Sequence, residues 1–308
     1  MLSINDLEGA RALGPTAVTI GKFDGIHRGH QALIADLRDA GTKHDLKTVL
    51  VTFDRHPDAL LNPSGLKWPL IGPEQKSALV AAAGVDALVT LTFDEQLANQ
   101  PAADFVTEVL VEALKAKVVI VGEDFRFGAG GAGDVALLHE LGQLFGFDVR
   151  VIASATENGI KVSTSTIREL LDQGDVAQAS QLLGRVHTTV GVIEHGLKIG
   201  RTIGFPTANM SRDAEGYLPL DGVYAGWLIA DGVRYPAAHS VGINETFQAV
   251  PRLVESHVLD RKDLDLYDKV VTLEYIDFIR PSAKFDGVEA LVEEINRDLD
   301  KIRHILGI

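Results

Sequence analysis

Gly21-Lys22-Phe23-Asp24-Gly25-Ile26-His27-Arg28-Gly29-His30 is the stretch on which the reading of the fold depends. Before it, Thr16-Ala17-Val18-Thr19-Ile20 is short, apolar and β-branched, which predicts a buried strand. After it, Gln31-Ala32-Leu33-Ile34-Ala35-Asp36-Leu37 sets Leu33, Ile34 and Leu37 on one face of a helix. The stretch is therefore a strand-to-helix turn. In an open parallel sheet such turns lie at the carboxyl ends of strands, where ligands bind. A helix N-terminus there offers free N–H groups and a partial positive charge, which suit phosphate. Gly25 and Gly29 let a phosphate approach the backbone, and Gly21 and Phe23 complete the candidate phosphate-binding turn. His27 and His30, three residues apart, can face one pocket and donate to phosphate oxygens. A capped helix with two surface histidines is the plainer alternative.

Outward from this turn, strands and helices alternate. Strands are expected at Thr16–Ile20, Thr48–Phe53, Ala87–Leu91, Lys117–Val121 and Val149–Ala153. Helices are expected near Gln31–Ala40, Glu74–Ala83, Ala102–Leu114 and Val135–Phe145, then Ser165–Leu171 and Val176–Leu183. This alternation implies an α/β domain, a parallel sheet with helices on both faces. After Gly184 the pattern changes to short β-branched and aromatic runs: Thr188–Ile193, Val223–Ile229, Tyr235–Val241, Leu253–Leu259 and Val270–Ile276. Such runs suggest a small antiparallel β-barrel. Val288–Leu306 carries Leu291, Ile295, Leu299, Ile302 and Leu306 at helical spacing, an amphipathic terminal helix. The expected domains are 1–186 and 187–308, in line with a soft prior of about 150 residues per domain for 308 residues.

Composition narrows the function classes. A hydrophobic content of 46% and a charged content of 23% are those of an ordinary globular protein. There is no cysteine, which excludes disulfides and thiolate metal sites and fits a reducing cytoplasm. No signal peptide is visible between Met1 and Gly14, and no apolar run approaches the ~20 residues of a membrane span. A net charge of −14 makes long nucleic acid a poor partner, yet it leaves room for nucleotides held locally.

Further motifs fall on the ligand edge. The second strand ends in Thr52-Phe53-Asp54-Arg55-His56-Pro57, with His56 a pocket candidate. The fourth ends in Gly122-Glu123-Asp124-Phe125-Arg126-Phe127-Gly128, where Phe125 and Phe127 could flank a flat ring. Ser163, Thr164 and Ser165 precede Arg168; hydroxyls there are first of all N-caps, and with the arginine they also make a phosphate cradle. Gly200-Arg201-Thr202-Ile203-Gly204-Phe205-Pro206-Thr207-Ala208-Asn209 reads as a glycine-rich loop and a fixed turn. Thr207 and Asn209 are hard oxygen ligands suited to Mg²⁺.

The run Gly-x-Phe-Asp-Gly-Ile-His-x-Gly-His-Gln resembles the bacterial bifunctional riboflavin kinase/FMN adenylyltransferase (FAD synthetase) family, a branch of the nucleotidyltransferases. Gly-Phe-Pro-Thr-Ala-Asn at 204–209 is similar to the riboflavin kinase motif, and Asp221-Gly222-Val223-Tyr224, Val254-Glu255-Ser256-His257, Asp265-Leu266-Tyr267 and Lys284-Phe285-Asp286 follow in family order. The resemblance implies a Rossmann-like nucleotidyltransferase domain followed by a riboflavin kinase barrel. It implies riboflavin, FMN and ATP as substrates, with Mg²⁺ as cofactor. It implies catalytic roles for His27, His30 and Arg168 in adenylyl transfer, with phosphate contacts from Ser163, Thr164 and Ser165. Gly200 and Gly204 would bind ATP in the barrel, Thr207 and Asn209 the metal, and Glu255 would be the kinase base. His56, Asp124, Phe125 and Phe127 would lie near the flavin. Two departures stand out. The family's Ser-Ser-Thr is Ser-Thr-Ser at 163–165, and its Asn-Pro-Thr-Phe is Asn244-Glu245-Thr246-Phe247. A related nucleotidyltransferase with another substrate, or a flavin-sensing regulator with decayed sites, are the rival readings. Intact His27, His30, Thr207, Asn209 and Glu255 speak against both.

Overall fold

The computed structural model describes residues 1–62, 68–196, 199–242, 252–261 and 263–308. The departure at Asn244–Phe247 lies outside the described residues. The chain forms two compact units, one of Met1–Pro69 and Pro73–Val162, the other of Leu70–Gly72 and Ser163–Ile308.

The first unit holds a six-stranded sheet of β1 (Leu2–Ile4), β2 (Thr16–Ile20), β3 (Lys47–Phe53), β4 (Ala87–Leu91), β5 (Ala116–Gly122) and β6 (Asp148–Ile152). Their spatial order is β1-β4-β3-β2-β5-β6, and every pair is parallel. All five residues of β2 are buried, as a strand covered on both faces requires. Val18, Ile20, Val49, Val51, Val89, Val119 and Val121 join one core with Leu110, Leu138 and Leu141 from the helices. The buried hydroxyls of β2 are satisfied: Thr16 Oγ1 donates to Leu114 O at 2.6 Å and Thr19 Oγ1 to Ile120 O at 2.9 Å. The chain runs β2, β3, β4 outward and then returns to place β5 on the other side of β2. The turn after β2 therefore sits at the topological switch point, where open α/β sheets bind ligands.

Three local expectations change. Leu2–Ile4, too short to show a pattern, pairs with β4 as an edge strand. Ala102–Leu114 is not one uniform helix: an α turn at Ala102–Phe105 widens into a π-helix over Val106–Ala113, and Leu114 N–H reaches back to Val109 O at 3.0 Å. Asn158 and Gly159, both at positive φ, turn a small hairpin of β7 (Thr156–Glu157) and β8 (Ile160–Lys161).

In the second unit β9 (His187–Glu194), β10 (Ala208–Met210), β11 (Gly222–Ala230), β12 (Val233–Gly242), β13 (Leu253–Val258) and β14 (Val270–Pro281) close an antiparallel barrel. The helix Val288–Leu306 buries Leu299 and Ile302 against Ala225 and Leu259. β10 closes the barrel by pairing with both β9 and β13, although its sequence reads as a turn. The helices Thr164–Asp172 and Val176–Leu183 also belong to this unit. This differs from the expected boundary after residue 186. Leu171, Val176, Ala179, Leu182 and Leu183 are all buried, His187 N–H donates to Ser180 Oγ at 3.0 Å, and Tyr217 Oη donates to Asp172 Oδ1 at 2.8 Å. Sequence periodicity shows that such helices exist but not which sheet they cover.

Candidate active sites

The turn after β2 is built on backbone that ordinary residues rarely adopt. Gly25 takes φ 86°, and Phe23 and Ile26 on either side of it take φ 45° and 41°. Left-handed conformations at non-glycine residues cost energy and gather at functional sites. Phe23, Asp24, Ile26 and His27 are all buried. His27 caps the helix Arg28–His44, its Nδ1 accepting from His30 N–H at 3.3 Å. A neutral His27 therefore carries its proton on Nε2 and presents a donor. A Cβ on Gly29 would stand 3.2 Å from the His27 ring, so this glycine also clears space for the imidazole.

The His27 and His30 rings stack with centroids 3.7 Å apart and 16° between planes, and Phe23 lies 4.9 Å from His30. Burial first, then His27 and Lys76, hold His30 well below the usual histidine pKa. Its Nδ1 is enclosed with no hydrogen-bond partner among the described residues. The turn thus brings the two imidazoles into contact, with His30 held toward its uncharged form.

Other expected residues of this unit fare differently. His56 follows β3 on the same sheet edge, where its Nδ1 accepts from Asp58 N–H at 3.2 Å and so shapes a local turn. Asp124 is exposed and Phe125 half-buried. Phe127, at 6% exposure, packs in the core, with Phe125 stacked at 5.4 Å and Phe105 at 6.1 Å. An aromatic among glycines can equally be the anchor of its loop, and Gly133 leaves the space its ring fills.

In the second unit Ser163 Oγ caps the helix Thr164–Asp172, accepting from Thr166 N–H at 3.2 Å. Thr164 and Ser165 stand in its first turn, and Arg168 is buried one turn on.

The barrel gathers its own set. Gly200 O accepts from Phe205 N–H at 2.8 Å, and a Cβ on Gly200 would lie 2.3 Å from Phe205 O; Gly204 takes φ 93°. Gly200 has no room for a side chain, and Gly204 holds a left-handed conformation that favours glycine. The turn delivers Thr207 to Glu255, Oγ1 donating to Oε2 at 3.2 Å. Asn209 lies directly across from Glu255 in the β10–β13 register. Val254, Ser256 and Val258 point into the barrel, so Glu255 and His257 take the outer face, where His257 Nδ1 is 2.9 Å from Pro206 O. An open, shallow groove begins at Thr207 and is lined by Arg201, Pro206, Arg261 and Tyr267. His195 and Tyr267 face each other at 3.9 Å beside it.

Two residues escaped the sequence reading. Arg252 donates to Asp221 Oδ1 at 2.6 Å and to the Leu218 and Pro219 carbonyls, fixing the start of β13 three residues before Glu255. Lys76 donates to Lys22 O at 3.0 Å, inside the β2 turn. A lysine in the first turn of the helix Pro73–Ala82, against the helix dipole, is the one signal that could have drawn notice.

The sequence model of the FAD synthetase family matches residues 10–166, and that of the riboflavin kinase family matches residues 183–306. The bifunctional riboflavin kinase/FMN adenylyltransferase of Escherichia coli (strain K12) is 34% identical over 292 residues, 94% of this chain and 93% of that one. The chain belongs to the bifunctional riboflavin kinase/FMN adenylyltransferase family. Another member of this riboflavin kinase/FMN adenylyltransferase family, from Listeria monocytogenes, is 34% identical over 91% of this chain and 89% of its own. A crystal structure described as a macrolide-efflux protein from Streptococcus pneumoniae is 30% identical, with a TM-score of 0.89 over 98% of both chains. Among the described residues no helix is long and apolar enough to cross a membrane.

Proposed function

We propose that this bifunctional enzyme of FAD biosynthesis divides its labour between its two folds. The barrel phosphorylates riboflavin with ATP, and the sheet with the His27–His30 turn adenylylates FMN with a second ATP. The kinase assignment rests above all on one observation: Thr207, Asn209 and Glu255 meet on the outer face of β10 and β13. Glu255 takes the proton of the riboflavin 5′-hydroxyl as its oxygen attacks the γ-phosphate. The groove beyond Thr207 receives the nucleotide, with Arg201 and Arg261 available to phosphates and Tyr267 to a flat base.

Mg²⁺ suits this donor set. Thr207 Oγ1 and the Asn209 amide oxygen are hard ligands, and among the described residues no cluster of three His, Cys, Asp or Glu could hold an ion unaided. The ion would arrive with the phosphates of ATP and neutralise charge on the transferred group.

Adenylyl transfer needs no protein nucleophile, because the FMN phosphate is already an anion. The protein positions the reactants and stabilises charge. His27 and His30 donate to phosphate oxygens. Ser163, Thr164, Ser165 and Arg168 are proposed phosphate contacts on the strength of their motif, and His56, Asp124 and Phe125 flavin contacts on theirs. The test is a time course of the pure protein with riboflavin, ATP and Mg²⁺, with the three flavins resolved by chromatography. FMN should appear first and FAD follow; FMN that never forms would overturn the kinase assignment, and supplied FMN that is never converted would overturn the other.

A further inference from the structure

We propose that Lys76 is a further catalytic residue of adenylyl transfer, its ammonium group contacting the ATP phosphates beside His30. This rests on the reading of the β2 turn as the adenylyl-transfer site. Lys76 lies in the first turn of the helix Pro73–Ala82, and its side chain crosses to the carboxyl ends of β2 and β3. There Nζ donates to Lys22 O at 3.0 Å and to Thr52 Oγ1 at 3.3 Å, while Thr52 Oγ1 itself donates to Lys22 O at 3.0 Å. An ammonium has three donors. The third has no partner among the described residues.

Position and charge both need explaining. The dipole disfavours a cation in the first turn of a helix. Burial favours the uncharged amine at Lys76, and only Asp24 acts appreciably against it. Among the described residues Lys76 forms no ion pair; its hydrogen bonds go to two neutral oxygens, and Asp24 acts on it only at longer range. A half-buried cation held this way suits a visiting anion. The groups that face it are Asp24 and His30, with His27 stacked behind. Because His30 is held toward its uncharged form, its imidazole contributes a hydrogen bond but little net charge. Lys76 supplies the fixed positive charge that a triphosphate requires.

In the reaction an FMN phosphate oxygen forms a bond to the α-phosphorus as the bond from that phosphorus to the bridging oxygen breaks. The electron pair leaves with pyrophosphate, and no proton has to move. Lys76 keeps its protons and stabilises the charge gathering on the leaving group.

The test uses the full chain with Lys76→Gln, Lys76→Arg and His30→Ala. Glutamine can keep hydrogen bonds to Lys22 O and Thr52 Oγ1 without the charge. Lys76→Gln should lower kcat for FAD formation from supplied FMN by about 10²–10³, leave the KM for FMN within a few-fold, and weaken inhibition by added pyrophosphate at least tenfold. Lys76→Arg should recover at least tenfold of the lost rate. Riboflavin phosphorylation and thermal unfolding report folding in every variant. The proposal fails if Lys76→Gln stays within threefold of wild type while His30→Ala is inactive, since the adenylyl-transfer reading then stands without it. It fails also if Lys76→Arg is no better than Lys76→Gln, or if pyrophosphate inhibition is unchanged, since Lys76 is then a structural staple. Normal FAD formation by His30→Ala would remove the reading of the site and the proposal together.

Discussion

Thr207 Oγ1 donates to Glu255 Oε2 across 3.2 Å, joining the end of the glycine turn to β13. The bond settles the direction of Glu255, which alternation along a strand leaves open in the sequence. On the proposed reading, this carboxylate is the kinase base. Glu255→Gln should keep the volume and the bond to Thr207 while removing the base. Riboflavin phosphorylation should fall by about 10²–10⁴, with FAD formation from supplied FMN unchanged. Parallel initial rates for the two reactions check this; a kinase rate within a few-fold of wild type would make Glu255 structural.

His30→Ala should reverse that pattern. Removing an N–H donor from the β2 turn should cost FAD formation about 10²–10³ in rate, while FMN formation continues. The readout is accumulation of FMN from riboflavin with little FAD.

Gly200→Ala tests the turn that carries Thr207. The new Cβ would stand 2.3 Å from Phe205 O, so the backbone must move. Overpacking of this kind costs about 1–3 kcal/mol. Kinase kcat/KM should fall at least tenfold and the barrel melt earlier, with adenylyl transfer spared. Unchanged kinase kinetics would show that the turn does not position Thr207.

Two buried histidines make the barrel sensitive to acid. Burial holds His187 and His239 at a pKa of about 4, against the usual 6.5. The unfolded chain takes up protons below pH 6.5 that the folded barrel refuses until about pH 4. Stability is thus full above 6.5 and falls with pH between the two values, by up to about 1.4 kcal/mol per pH unit for each histidine. Urea melts from pH 7 to 4.5 should show that slope. His239→Gln, able to keep a bond to Ser256, should flatten it.

The placement of the helices Thr164–Asp172 and Val176–Leu183 predicts how fragments behave. A fragment of residues 163–308 should unfold cooperatively and phosphorylate riboflavin. One of residues 187–308 loses the buried Leu171, Leu182 and Leu183 and should be markedly less stable in urea. Equal midpoints would show that the helices add nothing to the barrel.

The alternation of Thr16–Ile20, the turn and Gln31–Leu37 made the sheet and its ligand edge legible, because strand period, helix period and turn residues are all local. The barrel strands were legible for the same reason. Ala208–Met210 was not, since three residues carry no period and become a strand only through two partners far along the chain. Of the proposed site, His27, His30, Thr207 and Asn209 were marked by residue type and spacing, and Glu255 by family resemblance alone. How deeply Phe127 is buried was not legible, because packing, not composition, decides whether an aromatic is open. Lys76 and Arg252 were missed because a single cation has no pattern; only the carbonyls they reach give them a role.

The cap that His27 provides for the helix Arg28–His44 has a further consequence. With Nδ1 committed to the backbone, the imidazole can give a hydrogen bond to a ligand but cannot take a proton from one there. Like any catalyst, a site at this turn would leave the equilibrium of the adenylyl transfer proposed for it unchanged. On the proposed reading it would stabilise the same pentavalent phosphorus whether FAD is being made or is being split by pyrophosphate back to FMN and ATP. The direction of flux at this site is then set outside the protein, by how quickly pyrophosphate is removed.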